Sequence, residues 1–337
     1  MKGLHLGKVR LLVGIVISLG LLFLTFRDLK VQEVLAASRN TNYLFIVVAA
    51  VIMVGAFALR ALRWSYLLRP VRRLSWNTLF PITLIGFFGN YILPAKTGEL
   101  VRAYVLSKRE SLSKSTILGS IAVEKTMDTM ILFVILLGTL WAVPLPETIS
   151  DFEQGAAVFL IAVVALMLVL AARGRWAASL IVRVLQFVFP WWKERVARMT
   201  HSFVDGLSVL YHGSSIGIVI LLSALIWGLT TAIFTLIGTA MGLDLPLYVY
   251  VIIVAITNMA SFVPSLPGRL GTLEALSTTV LALFGVDKNV AVLFPILLRV
   301  VQLAPILLGY LFLNREGVRI LDATRSSKET EVTAALS

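Results

Sequence analysis

Asn90-Tyr91-Ile92-Leu93-Pro94-Ala95-Lys96-Thr97-Gly98-Glu99-Leu100-Val101-Arg102-Ala103 breaks an otherwise apolar stretch. Pro264-Ser265-Leu266-Pro267-Gly268-Arg269-Leu270-Gly271-Thr272-Leu273-Glu274 breaks another in the second half of the chain. The first break follows Leu79–Leu93 and gives way, through Tyr104, to the basic residues Lys108, Arg109 and Lys114. The second follows Leu247–Val263 and gives way to Thr272–Phe284. Broken helices at membrane depth are tolerated only where protein or water satisfies the freed backbone groups. Paired Pro/Gly interruptions in corresponding halves point to the binding site of a transporter.

The surroundings place these breaks in lipid. Of 337 residues, 58% are hydrophobic and 14% charged, against about a quarter charged in a soluble domain; the mean hydropathy is +0.92. Six segments have the apolar length of full spans: Val9–Phe26, Tyr43–Leu62, Thr116–Val143, Gly155–Ala172, Ser215–Met241 and Val290–Leu313. Val9–Phe26 is long for a signal-peptide core and is followed by charged residues instead of a small-residue cleavage site, so it reads as a retained span. The formal net charge of +12 reflects basic residues in short membrane-proximal loops and not nucleic-acid binding.

Loop charge sets the expected orientation. Arg60, Arg63, Arg69, Arg72 and Arg73 close the second span as a basic, hence cytoplasmic, cluster. Pro144–Gln154 carries Glu147, Asp151 and Glu153 without Lys or Arg and is expected outside. Arg173–Arg198 and the tail from Arg315 to Lys328 are basic, placing both termini in the cytoplasm. By the same count each broken stretch returns to the side it entered, one from each face: two re-entrant helical hairpins, or two kinked ordinary spans. Between the fourth and fifth spans, Val196, Met199, Phe203, Leu207 and Leu210 form a helical stripe beside Trp191-Trp192. That stripe predicts helices lying in the cytoplasmic interface. One domain, residues 1–314, is expected, with interfacial helices over 173–213 and a partly disordered cytoplasmic tail over 315–337.

Ionisable groups inside spans are expensive and mark function by default. Glu124 and Asp128 share one helix face a turn apart. Lys125 points about 100° away and can snorkel. Arg299, with Gln302 one turn on, needs a partner: Glu124, Asp128, Glu274 or a ligand phosphate. A structural ion pair and a headgroup contact are both open. Glu99 and Glu124 lie 25 residues apart, as do Glu274 and Arg299, an echo expected of an inverted repeat. At the breaks, Thr97-Gly98 and Gly271-Thr272 precede helix starts whose free amides favour an anion. Lys96, Arg102 and Arg269 add positive charge there, and Gly268 and Gly271 serve either ligand approach or helix breaking. The chain has no cysteine and three histidines, His5, His201 and His212. It carries no P-loop, dinucleotide fingerprint or zinc motif, so neither cofactor nor metal is expected.

The quoted breaks, together with Glu124-Lys125-Thr126-Met127-Asp128, resemble the membrane region of lysylphosphatidylglycerol synthases, which also occurs as stand-alone proteins of about this length. The resemblance covers nearly the whole chain. It implies a lipid-translocating, flippase-like domain, with relatives linked to aminoacyl-phospholipids, hopanoids or polyprenyl-linked glycans. The family often has Arg where this chain has Lys96 and Lys125, a point charge instead of a bidentate fork. The synthase's soluble aminoacyl-transferase domain is not in this sequence, so a separate lipid-synthesising enzyme is implied as partner.

The expected fold is an all-α polytopic membrane protein with about six transmembrane helices plus two re-entrant hairpins. The expected function is movement of a phospholipid or lipid-linked headgroup across the cytoplasmic membrane. Alternatives are an integral-membrane enzyme using Glu124 and Asp128 as a carboxylate pair, or a non-transporting scaffold.

Overall fold

The computed structural model describes residues 2–27, 29–93, 97–142, 213–260 and 265–316. They form α1 (Lys2–Phe26), α2 (Val31–Arg39), α3 (Tyr43–Leu68), α4 (Trp76–Ile92), α5 (Gly98–Glu110) and α6 (Lys114–Ala142). After the undescribed stretch come α7 (Gly213–Ala240), α8 (Leu247–Met259), α9 (Thr272–Leu283) and α10 (Lys288–Arg315), with a 3-10 turn at Pro267–Arg269 between α8 and α9. No strand occurs among the described residues.

Tyr43–Leu68, Gly217–Ala240 and Lys288–Arg315 are long and apolar enough to cross a membrane, and they coincide with the second, fifth and sixth expected spans. Helices α1 and α6, of 25 and 29 residues, cover the first and third. The expected span Gly155–Ala172, the interfacial segment up to His212 and the tail beyond Glu316 lie outside the described residues. Lipid exposure shows on the outer surface: Val16, Phe23 and Val51 are 66–69% exposed, normal for a protein whose solvent there is hydrocarbon.

Local chemistry fixes the helix starts. The Asn42 side chain accepts from the Leu44 amide at 3.1 Å and starts α3. Asp287 accepts from the Asn289 amide at 2.8 Å and starts α10, an N-cap worth about 1 kcal/mol. Helix α3 runs to Leu68, past the expected end at Leu62, so Arg60 and Arg63 lie within it.

Two apolar cores stack end to end. One gathers Leu67, Leu79, Ile82, Val101 and Leu106 from the C-terminal part of α3 and from α4 and α5. The other gathers Ile46, Ile253, Leu273 and Leu281 from the N-terminal part of α3 and from α8 and α9. Helices α3, α6, α7 and α10 contribute to both and so run the length of the bundle. Each broken pair keeps to one end. Arg72, just past α3, donates to the Glu110 carbonyl at the close of α5 at 2.7 Å. Tyr248 at the start of α8 meets Phe284 at the close of α9, ring centroids 5.8 Å apart. The residues flanking the α4–α5 pair thus meet each other, as do those flanking the α8–α9 pair.

Helix α10 passes through the middle, where Gly309 faces the backbone of α4. A methyl group there would overlap the Leu84 carbonyl oxygen, whereas one on Gly55 of α3 would meet nothing within 4 Å. Gly309→Ala should therefore destabilise by about 1–3 kcal/mol through overpacking. Gly55→Ala should gain a few tenths to about 1 kcal/mol from helix propensity. Detergent-solubilised melting temperatures check both, and equal shifts would contradict the close α4–α10 crossing.

Candidate functional site

Two buried ionic clusters occupy the bundle, one beside each broken pair. The first centres on Arg63, whose side chain is 0% exposed. Its Nη1 donates to Asp128 Oδ1 at 2.5 Å and to Ser223 Oγ at 2.8 Å. Its Nη2 donates to Asp128 Oδ2 at 3.0 Å and Glu124 Oε1 at 3.2 Å. The one-turn spacing of Glu124 and Asp128 on α6 lets a single guanidinium fork engage both. Arg102 of α5 brings Nη1 to 2.9 Å from Glu124 Oε2. Its guanidinium lies 3.5 Å from the Trp64 ring centroid, and the Trp64 indole donates to Ser120 Oγ at 3.0 Å. At the rim, exposed Lys125 sits 3.6 Å from Glu99 Oε1.

The second cluster centres on Arg299 of α10. Nε donates to Glu274 Oε1 at 2.9 Å, and Nη1 donates to Tyr91 Oη at 2.8 Å. The same Nη1 donates to the Gly268 carbonyl. Tyr91 in turn donates to Gln302 Oε1. Arg299 therefore ties the end of α4 to the turn before α9, and the two breaks meet at Tyr91 and Gly268. Gly268 has φ +66° and Gly271 φ +89°, a backbone region glycine enters without strain. A Cβ on Gly268 would press on the Tyr91 ring, and one on Gly271 on the Ser18 backbone.

The structure sorts the expected residues. Of the partners open to Arg299, Glu274 is the one it meets; Glu124 and Asp128 belong to Arg63 and Arg102. The 25-residue echo resolves unequally: Glu274 and Arg299 pair directly, while Glu99 pairs with Lys125 and Glu124 with two arginines. The tip amides are partly occupied by the chain itself. The Gly98 amide donates to Asn90 Oδ1 at 2.9 Å and the Gly271 amide to Glu274 Oε2 at 2.8 Å. Asn90 and Glu274 are short polar side chains placed within reach of the helix start, so these two N–H groups are not left for a ligand. Thr97 is the residue before α5, and the Thr272 hydroxyl donates to the Arg269 carbonyl at 3.1 Å. Lys96 lies outside the described residues. Among the described residues no three His, Cys, Asp or Glu side chains are grouped to hold a metal.

Arg63 needs a correction, since loop charge placed it in a cytoplasmic cluster. The signal that finds it is the run Trp64-Ser65-Tyr66-Leu67-Leu68, which continues the helix a turn beyond it, as Ile117–Val123 precedes Glu124. Tyr91 and Asn90, part of the first break, carry no charge that would single them out.

Comparison with known proteins agrees with this frame. The lysylphosphatidylglycerol synthase TM region family matches residues 11–309. A UPF0104 membrane protein of Methanothermobacter thermautotrophicus is 24% identical over 302 residues, covering 85% of this chain and 88% of its own. Glycosyltransferase AglD of Haloferax volcanii is 26% identical over 305 residues, covering 82% of this chain and 49% of its own length. No solved structure matches. A match spanning both breaks, both ionic clusters and all but the last few residues of α10 makes this chain a multi-pass membrane protein of the lysylphosphatidylglycerol synthase TM region family.

Proposed function

We propose that the protein moves a lipid headgroup, that of a phospholipid or a polyprenyl-linked lipid, across the cytoplasmic membrane. The observation that carries this reading is the Arg299 bridge: a cation in an apolar helix that joins two broken helices entering from opposite ends. In lipid, α4–α5 and α8–α9 are re-entrant hairpins from opposite faces, and α4–α5–α6 and α8–α9–α10 form an inverted repeat. Broken helices meeting inside a bundle supply the polar path that a headgroup needs through hydrocarbon. The Arg299–Glu274 pair is exchangeable in principle: a phosphate competes for the guanidinium, and the released carboxylate is available to an ammonium group or a proton. Glu99, Arg102, Glu124, Lys125, Asp128, Arg269 and Gln302, with Thr97, Gly98, Gly268, Gly271 and Thr272, surround that path. Both termini are cytoplasmic in this arrangement, and a separate enzyme makes the lipid.

The AglD likeness favours a second reading, an enzyme on a lipid-linked substrate with Glu124 and Asp128 as its carboxylates. Their ion pairs with Arg63 and Arg102 oppose general acid–base work. Mass spectrometry of lipid co-purified from native membranes distinguishes the two: a single enriched lipid class, unchanged on incubation, supports transport, and a new product supports the enzyme. No enrichment over bulk lipid contradicts both.

The hairpin arrangement has its own test. The chain has no cysteine, so Lys108→Cys and Asp244→Cys each carry the sole thiol. Impermeant maleimide should reach Asp244→Cys from outside intact cells and Lys108→Cys only after lysis. Labelling of Lys108→Cys from outside would make α4–α5 a full span.

A further inference from the structure

Among the described residues inside the bundle, charge matching leaves two arginines over. Arg63 and Arg102 engage Glu124 and Asp128, Arg299 engages Glu274, and Lys125 engages Glu99. The nearest carboxylate oxygen to Arg60 is Asp128 Oδ2, 3.9 Å away and already bound by Arg63. The Arg60 guanidinium donates to no described residue, although its side chain is only 20% exposed. It rests against Phe57 and Trp227, 5.8 and 5.4 Å from the ring centroids. Arg269 has no carboxylate within 4.0 Å among the described residues. Only its Nη1 is engaged, with the Thr257 carbonyl at 3.1 Å and Asn258 Oδ1 at 3.4 Å. Its backbone sits at φ +60°, a left-handed conformation that costs a non-glycine residue about 1–2 kcal/mol.

A chain of aromatic contacts runs from one to the other. Phe57 touches Phe87 and Phe87 touches Tyr91, with centroids 4.5 and 5.6 Å apart. Tyr91 meets Gly268, next to Arg269, at the junction of the breaks. Uncompensated cations at membrane depth are costly unless an anion joins them, and guanidinium forks fit phosphate oxygens bidentately.

We infer that Arg60 and Arg269 together receive a phosphate oxyanion beside the exchangeable Arg299–Glu274 pair, with Arg63–Glu124–Asp128 as the framework that holds them. This rests on the translocation reading and deepens it by naming the anionic phosphate, and the two arginines that take it, as the recognised chemistry. The phosphate belongs to a lipid or to a soluble phosphoester, and the test separates these sources.

Equilibrium binding to the full chain in maltoside micelles is measured with dioleoylphosphatidylglycerol, with phosphate-free dioleoylglycerol, and with glycerol 3-phosphate. Phosphatidylglycerol should bind and dioleoylglycerol should not. Arg60→Gln and Arg269→Gln should each weaken binding roughly tenfold or more, as expected for a charge-assisted hydrogen bond, and the double variant should lose it. Exposed Arg69→Gln serves as control and should bind as the parent does. Glycerol 3-phosphate binding with the same dependence on both arginines supports the oxyanion site and assigns it to a soluble phosphoester. Equal binding of dioleoylglycerol, or unchanged phosphatidylglycerol affinity in a double variant that melts like the parent, overturns the inference. Binding is read without transport: a chain that binds through this pair but moves no lipid overturns translocation alone, and full affinity in the double variant overturns this inference alone.

Discussion

Arg63→Met should destabilise the detergent-solubilised protein by about 3–5 kcal/mol, the cost of removing one member of a buried ion pair. The substitution leaves Glu124 and Asp128 buried together, with Arg102 as the remaining close cation on Glu124 and only Arg60, at 3.9 Å, beside Asp128. Like charges a turn apart on α6 then repel in a low-dielectric site. The combined Arg63→Met and Asp128→Leu chain should recover much of the lost stability, because both members of the pair are then neutral while Glu124 still holds Arg102. The check is the thermal unfolding midpoint of the two variants and the parent. A single Arg63→Met variant melting with the parent would mean that water reaches these carboxylates and that the cluster is not a structural tie.

Only part of this cluster is legible in the sequence. Apolar length and the Pro/Gly breaks were enough for the helical class, for the broken pairs and for three apolar spans, because crossing a bilayer imposes length and composition directly on the chain. The charges on α6 and α10 were visible for the same reason, standing out against Leu- and Ile-rich surroundings. Partner choice was not visible. Arg63 met Glu124 and Asp128 across 61 and 65 residues of chain, and the positive-inside rule had already explained Arg63 as a loop charge. Asn90 and Tyr91 carry no charge and no periodic signal. Their roles, holding the Gly98 amide and receiving Arg299, come from tertiary placement alone.

Arg299→Gln should cut lipid translocation at least a hundredfold in proteoliposomes. The substitution removes the fork that joins Glu274, Tyr91 and the Gly268 carbonyl, so the two breaks lose their tie and Glu274 is left without its cation. Arg299→Lys keeps the charge but not the fork and should retain part of the activity. Stability and transport separate in the double variant. Arg299→Gln with Glu274→Gln should recover stability, since neither charge remains, while transport stays lost. Recovery of transport in that chain would reduce Arg299 to charge balance and leave the headgroup contacts to other residues. Neutralising Glu124 or Asp128 instead should not rescue Arg299→Gln, because those carboxylates serve Arg63 and Arg102.

Translocation by the purified protein tells whether this chain moves lipid headgroups between leaflets. Vesicles of phosphatidylcholine with a trace of headgroup-modified or tail-labelled fluorescent phosphatidylglycerol are prepared with and without the protein, and dithionite quenches the outer-leaflet dye. Protein-containing vesicles should lose the protected half of the tail-labelled signal over minutes, in proportion to the fraction of vesicles holding a protein. The same lipid in vesicles with Arg299→Gln should stay protected. Protection that persists in vesicles holding folded parent protein, across phosphatidylglycerol and polyprenyl phosphate probes and with a proton gradient imposed in either direction, would mean that the protein does not move lipid headgroups.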